Sequence, residues 1–521
     1  MKNFKALLCI VSLAIFSCNN DDDVFNPPVD EPIIDPEIVI DPPAIPLNTD
    51  VNFEFASTIH VGGEGAAEIS TFDATTNRLF VVNSEASQVS VYDLTDISNP
   101  TLAGAIPLAN GGALNSVTSF EGTIAVAVEA TIAQNNGEVQ LYNATDLSLI
   151  NSYTVGALPD MVTFTPDGNY LFVANEGEPN DAYTIDPEGT VSIIEIATGN
   201  ITNLDFNAFN GQEATLEANG FRVFGPNANL AQDVEPEFIT ISDDSQTAWV
   251  ALQENNGFAK IDIPSKTITD ILPLGFKDHS LPGNEIDPSD RDDVTVLRSV
   301  PVFGMYQPDA ITYVNINGTG YVISANEGDA RDYDGFSEEE RIDDLVLDPT
   351  IFPNTAELQL EENLGRLEIT TTLGDTDGDG EFEELYAYGA RSFTIWSENG
   401  DVIHDSGNSI GEIQLANTPA TFNDEDGRSD AKGAEPESVE VLNIGDERYI
   451  LFVGLERTDQ IFVYDITNPN APQFLSILST DGDEAPEGLI AIPATDSPSG
   501  RDLVIVSNED SGTVTIYQNN N

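Results

Sequence analysis

One short pattern returns seven times along this chain. Its clearest copy runs Leu158-Pro159-Asp160-Met161-Val162-Thr163-Phe164, then Pro166-Asp167-Gly168, then Tyr170-Leu171-Phe172-Val173-Ala174-Asn175-Glu176, then Gly189-Thr190-Val191-Ser192-Ile193-Ile194. Short apolar runs separated by Gly, Asp, Asn and Pro mark strands joined by turns, here strand A, a tight turn, strand B, a loop and strand C. The strand-B endings align as Val82-Asn83-Ser84-Glu85, Ala127-Val128-Glu129, Ala174-Asn175-Glu176, Leu252-Gln253-Glu254, Ala325-Asn326-Glu327, Gly454-Leu455-Glu456 and Ser507-Asn508-Glu509. The strand-A starts align as Ala67-Glu68, Asn115-Ser116, Pro159-Asp160, Pro236-Glu237, Pro308-Asp309, Pro436-Glu437 and Pro486-Glu487.

A sheet unit repeated in register, with almost no helical periodicity from Phe53 onward, predicts an all-β chain: a seven-bladed β-propeller over residues 52–521. The ends fit closure of the ring. Phe55-Ala56-Ser57-Thr58-Ile59-His60-Val61 reads as an outer strand D, and the last copy supplies A, B and C, ending at Thr513-Val514-Thr515-Ile516-Tyr517. Pairing of these terminal strands would leave no long open edge. The spacing between copies is uneven, and the excess falls in three insertions: 276–304, 331–363 and the hairpin-like stretch Leu367 to Tyr388. Long loops on a rigid scaffold are where function concentrates.

Charge limits what the chain can bind. It holds 90 acidic and 18 basic residues, a formal net charge of -72. Such a surface repels nucleic acid and anionic lipid and attracts divalent cations. With 40% hydrophobic residues the chain still has a core to bury, so acidity here does not mean disorder.

The N-terminus reads as an address. Lys2 and Lys5 precede the apolar run Ala6 to Phe16, which is too short to span a membrane. It ends at Ile15-Phe16-Ser17-Cys18, which resembles a bacterial lipobox, so residues 1–18 are expected to be a lipoprotein signal with the lipid on Cys18. The only other cysteine, Cys9, lies inside that signal, which leaves the mature chain without disulfides. Residues 19–51 read as an acidic, Pro-rich tether, and Asn19-Asn20-Asp21-Asp22-Asp23 resembles a surface-export signal. The expectation is an exported outer-membrane lipoprotein, exposed at the cell surface, monomeric, and touching the membrane through its lipid alone.

The sharpest metal motif lies in the third insertion: Asp375-Thr376-Asp377-Gly378-Asp379-Gly380-Glu381-Phe382-Glu383. Asp375, Asp377, Asp379 and Glu383 occupy positions 1, 3, 5 and 9 of an EF-hand-type loop, Gly380 position 6, and Glu381 would give its backbone carbonyl at position 7. Position 12 is Tyr386, so the bidentate Glu of a helical EF-hand is missing, and the pattern is closer to the hairpin calcium loops of integrin-type propellers. Ca²⁺ is the expected cofactor. Another divalent metal could take the ring of acids.

That ring follows from the repeat. Strand A starts, and strand B ends, on one face beside the axis. Glu68, Glu85, Glu129, Asp160, Glu176, Glu237, Glu254, Asp309, Glu327, Glu437, Glu456, Glu487 and Glu509 should therefore surround the channel. So many carboxylates cannot all stay ionised and unpaired. Either each accepts hydrogen bonds within its blade junction, or together they form a metal or ligand site. The scarce bases Arg331, Arg391, Arg428, Lys432 and Arg457 cluster near this acidic face, Arg457 directly after Glu456. They either neutralise carboxylates or form an anion clamp. His60, His279 and His404 have no zinc spacing, and no P-loop or nucleophile elbow is present.

The copy at 158–194 resembles the YVTN-type propeller repeat. Gly389-Ala390-Arg391-Ser392-Phe393, Arg428-Ser429-Asp430-Ala431-Lys432-Gly433 with Glu435-Pro436-Glu437, Gly454-Leu455-Glu456-Arg457, Leu252-Gln253-Glu254-Asn255-Asn256 and Ser507-Asn508-Glu509-Asp510-Ser511-Gly512-Thr513 together resemble the choice-of-anchor I family over residues 53–519. The resemblance implies an exported propeller attached to a surface by an anchor that varies among members, here expected to be the lipid on Cys18. It is similar to mesenchyme-specific cell-surface glycoproteins, which are associated with biomineral, and to proteins labelled atypical alkaline phosphatases.

Two functions remain open on the sequence. One is a non-catalytic calcium-binding module for a surface partner or mineral. The other is a metal-dependent phosphoesterase, with metals in the ring and phosphate on Arg331, Arg391 or Arg428. A scaffold of this kind does not by itself choose between them.

Overall fold

The computed structural model describes residues 45–48, 50–108 and 112–521. Cys18, the signal and most of the tether lie outside the described residues. The chain is almost entirely β. Seven four-stranded antiparallel sheets follow one another along it, each with its strands in spatial order A-B-C-D. The third is typical: Pro159–Phe164, Tyr170–Asn175, Thr190–Glu195 and Asn200–Leu204. The last sheet takes Pro486–Ile492, Leu503–Asn508 and Thr513–Asn519, and its fourth strand is Phe53–His60 from the other end of the chain. That pair is antiparallel, from Phe53 opposite Asn519 to His60 opposite Thr513.

The B strands differ from the alternating pattern of a sheet with one wet face. Leu79, Phe80, Val81 and Val82 are all buried, as are Leu171, Phe172, Val173 and Ala174. A central strand covered on both faces by neighbouring sheets needs apolar residues at every position. Separate apolar clusters fill the space between each sheet and the next. The A strands also contact each other in cyclic order. Ser70–Asp73 meets Leu114–Phe120, and the series runs through Pro159–Phe164, Ile239–Ile241, Ile311–Ile316 and Pro436–Asn443 to Pro486–Ile492, which meets Ser70–Asp73 again.

The three insertions join one another. Phe276–Asp278, Phe303–Met305, Tyr386–Ala387, Glu368–Thr370 and Glu339–Arg341 form one five-stranded sheet, in that spatial order. It has its own core, which includes Ile286, Val302, Ile342, Phe352, Leu364, Ile369 and Leu385. These segments are therefore a folded unit, with apolar residues from three distant stretches of sequence that only pack when brought together.

One backbone device recurs where strand A begins. Leu158, Gln307, Glu435 and Ala485 all have positive φ, 47°, 39°, 51° and 56°, and each precedes a proline. A residue before proline is barred from the right-handed helical region, and a left-handed non-glycine is strained. After Pro159, Pro436 and Pro486 the pairing with strand B then slips by a bulge. The slip re-aims the acid that follows each proline.

Candidate functional site

The A strands of all seven sheets line a channel of about 700 Å³. Nine of the thirteen ring acids are on its wall: Asp160, Glu176, Glu237, Asp309, Glu327, Glu437, Glu456, Glu487 and Glu509. In the second sheet the wall carries Ser116 instead, and its hydroxyl accepts the Val162 N–H at 3.3 Å. Glu68, Glu129 and Glu254 lie off the wall; Glu68 and Glu254 still interact electrostatically with acids on it. Glu85 departs furthest from the expected ring. It is exposed in the turn after its strand, separated by Ser84 from the strand end Asn83, and accepts the Gly63 N–H at 2.7 Å.

Burial raises several of the carboxyl pKa values around this channel, and the neighbouring acids add to it. Asp160 is pushed to about 7 by burial, then by Asp309 and Glu178. Glu68 reaches about 7 through burial, against a bond from Ser84 and with help from Glu509. Glu254 reaches about 7 and Glu327 about 8, both chiefly through burial. Glu176, Glu237, Glu437 and Glu487 are held well above the ordinary range by burial first and then by the charge of neighbouring acids, Glu178 for Glu176, Glu254 for Glu237, Glu327 for Glu437 and Glu509 for Glu487. Two trios stand out. Glu176, Glu235 and Glu254 each bring one oxygen within 4.8 Å of the others, and so do Asp309, Glu327 and Glu437. At an effective dielectric of about 20, each fully charged pair at that distance repels by roughly 3 kcal/mol. A shared proton, a basic side chain or a cation must offset this.

The five bases do not assemble into one anion clamp. Arg331 is buried and committed: its Nη1 donates to Asp233 Oδ1 at 2.9 Å, its Nη2 to the Asp233 carbonyl at 2.6 Å, and its Nε to Glu235 Oε2 at 3.1 Å. Arg391 donates to the carbonyls of Asp287, Ser429 and Ala431 at 2.7–2.9 Å, and so ties the first insertion to the 429–431 segment. Arg428, Lys432 and Arg457 do converge, but on the buried carboxylate of Glu435. Arg428 Nη2 lies 2.6 Å from Oε1, and Lys432 Nζ and Arg457 Nε lie 3.6 and 3.1 Å from Oε2. Burial opposes ionisation of Glu435, yet these three cations outweigh it and hold the pKa below the usual range. Lys432 also binds Glu327 Oε1 directly.

Four acids important here were not singled out from the sequence: Glu178, Asp329, Glu235 and Glu435. Each had a signal. Asn175-Glu176-Gly177-Glu178 is matched by Asn326-Glu327-Gly328-Asp329, and Glu235-Pro236-Glu237 by Glu435-Pro436-Glu437. The extra acid in each pair faces either a base or tyrosine of the second insertion or Lys432: Tyr333 donates to Glu178 Oε1 at 2.6 Å, Lys432 reaches Asp329 at 3.7 Å, and Arg331 and Lys432 meet Glu235 and Glu435.

In the Asp375 loop the acids converge in part. Asp375, Asp377 and Glu383 bring oxygens within 4.8 Å of one another. Asp375 takes the N–H groups of Gly378, Asp379 and Gly380 at 2.8–3.1 Å, which winds the turn. Glu383 Oε2 accepts the Thr376 N–H and hydroxyl, both at 2.7 Å. Asp379 accepts the Glu381 N–H at 2.9 Å, and neither Asp379 nor Glu381 belongs to the trio. The nearby charges of Asp379 first, then Glu383, raise the pKa of the exposed Asp377. The trio supplies hard oxygen ligands of the kind Ca²⁺ takes.

The chain is 31% identical over 189 residues to Gigasin-3a of Magallana gigas, an alignment that covers 31% of this chain and 66% of that protein. The chain thus spans somewhat less than two thirds of that relative's length. Among solved structures it is similar to hydrazine synthase of Kuenenia stuttgartiensis, with TM-score 0.48, 12% identity and 87% and 96% of the two chains covered. It is also similar to the Swd1 β-propeller domain of Myceliophteria thermophila, with TM-score 0.45, 9% identity and 89% and 99% covered. Both scores are too low to bear on function. The choice-of-anchor I domain, in contrast, matches residues 68–469, well over half of the sequence, so this chain belongs to the choice-of-anchor I family.

Proposed function

We propose that this chain is a surface-displayed, calcium-binding β-propeller of seven blades that acts as a non-catalytic binding module for a surface partner or mineral. The cyclic contacts of the A strands and the apolar cluster at each junction support a closed ring, with Phe53–His60 and Thr513–Asn519 as its clasp. The convergence of Asp375, Asp377 and Glu383 on an exposed loop carries the calcium reading. Family membership supports an exported or cell-surface location. A lipid on Cys18 would supply the anchor, and net charge -72 suits a cation-bridged contact with mineral or with another acidic surface.

A metal-dependent phosphoesterase is the second reading. Its support is the Asp309–Glu327–Glu437 trio on the channel wall, with Lys432 bonded to Glu327. A phosphate clamp also needs cations with free donors, and Arg331 and Arg391 are committed to protein oxygens. The binding reading therefore stands first. Metal analysis and calcium titration of the purified mature chain test it, followed by phosphatase assays with each metal found. A chain that neither retains nor binds calcium sinks the first reading, and turnover of a phosphoester installs the second.

A further inference from the structure

We infer that Glu176, Glu235 and Glu254 form an internal binding site for a hard divalent cation of the calcium class, set between the third and fourth sheets and separate from the exposed Asp375 loop. The site does not rest on the loop reading.

The three side chains come from three elements. Glu176 follows the strand Tyr170–Asn175, Glu235 lies just beyond the short helix Leu230–Asp233, and Glu254 follows the strand Thr247–Leu252. Their oxygens fall within 4.8 Å of one another. Oxygens bound to one Ca²⁺ at about 2.3–2.6 Å can lie no more than about 5 Å apart, so the trio already has the spread of ligands on one ion.

Acids alone do not make a site, but two carboxylates here have oxygens that nothing satisfies. Glu254 is 5% exposed and its Oε2 has no hydrogen-bond partner. Glu237, whose charge couples most strongly to Glu254 and then to Glu176, is 9% exposed, and its Oε2 is also unpartnered. A buried anionic oxygen without a donor or cation is costly. The donors that could serve these oxygens point elsewhere. Arg331 is occupied by Asp233 and Glu235. The Asn255 amide donates to the Arg222 and Asp233 carbonyls and to Asp233 Oδ2, and Gln253 donates to Glu327. The neighbourhood thus fixes the backbone, Arg331 and one oxygen of Glu235 firmly, while leaving Oε2 of Glu254 and of Glu237 open.

An all-carboxylate donor set, without His or Cys, selects a hard cation over zinc or copper. Glu176 and Glu237 both line the channel, which gives an ion its way in.

The test uses the full mature chain with the loop trio removed (Asp375→Asn, Asp377→Asn, Glu383→Gln), stripped with EDTA and titrated calorimetrically with Ca²⁺ and Mn²⁺. The loop variant should still bind a cation. Adding Glu254→Gln, or in a second variant Glu176→Gln, should weaken that binding at least tenfold, while Glu64→Gln, at an exposed acid outside every carboxylate trio, should leave it within twofold. Glu176 is half-buried and outside any ion pair among the described residues, so its variant tests the site even if Glu254→Gln does not fold. No cation binding by the loop variant overturns the inference, and so does binding that Glu176→Gln leaves unchanged. Loss of loop binding with this site intact would fault neither reading.

Discussion

Gln253 Nε2 donates to Glu327 Oε2 at 2.9 Å, joining the end of the second strand of one sheet to the end of the second strand of the next. Lys432 holds the other oxygen of Glu327. Both oxygens are thus partnered by the protein, whereas Oε2 of Glu254 is not. Glu327→Gln should lower stability by about 2 kcal/mol, the cost of weakening two bonds to a buried charge. Urea unfolding should show this as a fall in midpoint at constant m-value. Calcium affinity equal to wild type would mark Glu327 as architectural, and loss of binding would place it in a metal site.

The loop makes a separate prediction. Asp377→Ala with Asp379→Ala should cut the calcium-dependent rise in Tm. A ligand held only by the folded chain at 100 times its Kd stabilises it by about 2.7 kcal/mol, and the double variant should lose most of the part that the loop supplies. An unchanged response would make the loop a solvated acidic turn.

Acids whose folded pKa lies above its unfolded value give pH-dependent stability of a definite sign. Glu68, Asp160, Glu254 and Glu456 are raised to about 7, and Glu327 and Glu440 to about 8, from ordinary values of 3.8 to 4.5, with burial the first cause in each. The folded chain holds these protons longer. Their stabilisation is therefore complete below about pH 4 and is lost as pH rises through 7 to 8. In EDTA, Tm should fall between pH 5 and 9, and saturating calcium should flatten the slope. A flat profile in EDTA would contradict this account of the channel wall.

Arg331→Met separates two roles for that side chain. It strips Asp233 and Glu235 of their buried partner and should cost about 3–5 kcal/mol. Arg457 is over a third exposed, and Arg457→Met should cost under about 1 kcal/mol. Denaturant unfolding of both gives the comparison. A stable Arg331→Met variant that lost binding of inorganic phosphate would revive the anion clamp.

Cys18→Ala should release the chain from membranes while leaving its folded domain intact, which detergent partition and circular dichroism would show. A variant that still partitions as a lipoprotein would exclude the lipobox.

The sequence determined the kind of structure this is. A strand pattern that repeats seven times needs no distant information to be read, because alternation, turn residues and strand length are local properties, and the four-stranded sheets followed from them. It also marked the acids of strands A and B, since each sits at a fixed step from a strand end. The tertiary structure decided which of those acids meet. Glu85 and Glu176 are equivalent in the repeat, yet Glu85 sits exposed in a surface turn, holding the Gly63 N–H, while Glu176 directly follows its strand and lines the channel. The structure also decided which acids are neutralised. Arg331 and Lys432 look alike in sequence beside their acids, but their partners Asp233 and Glu327 lie 98 and 105 residues away. The five-stranded sheet of the insertions was hidden for the same reason. Its strands are two or three residues long, too short for periodicity to register, and they hold only because Ile286, Ile342 and Ile369 are brought together into one core.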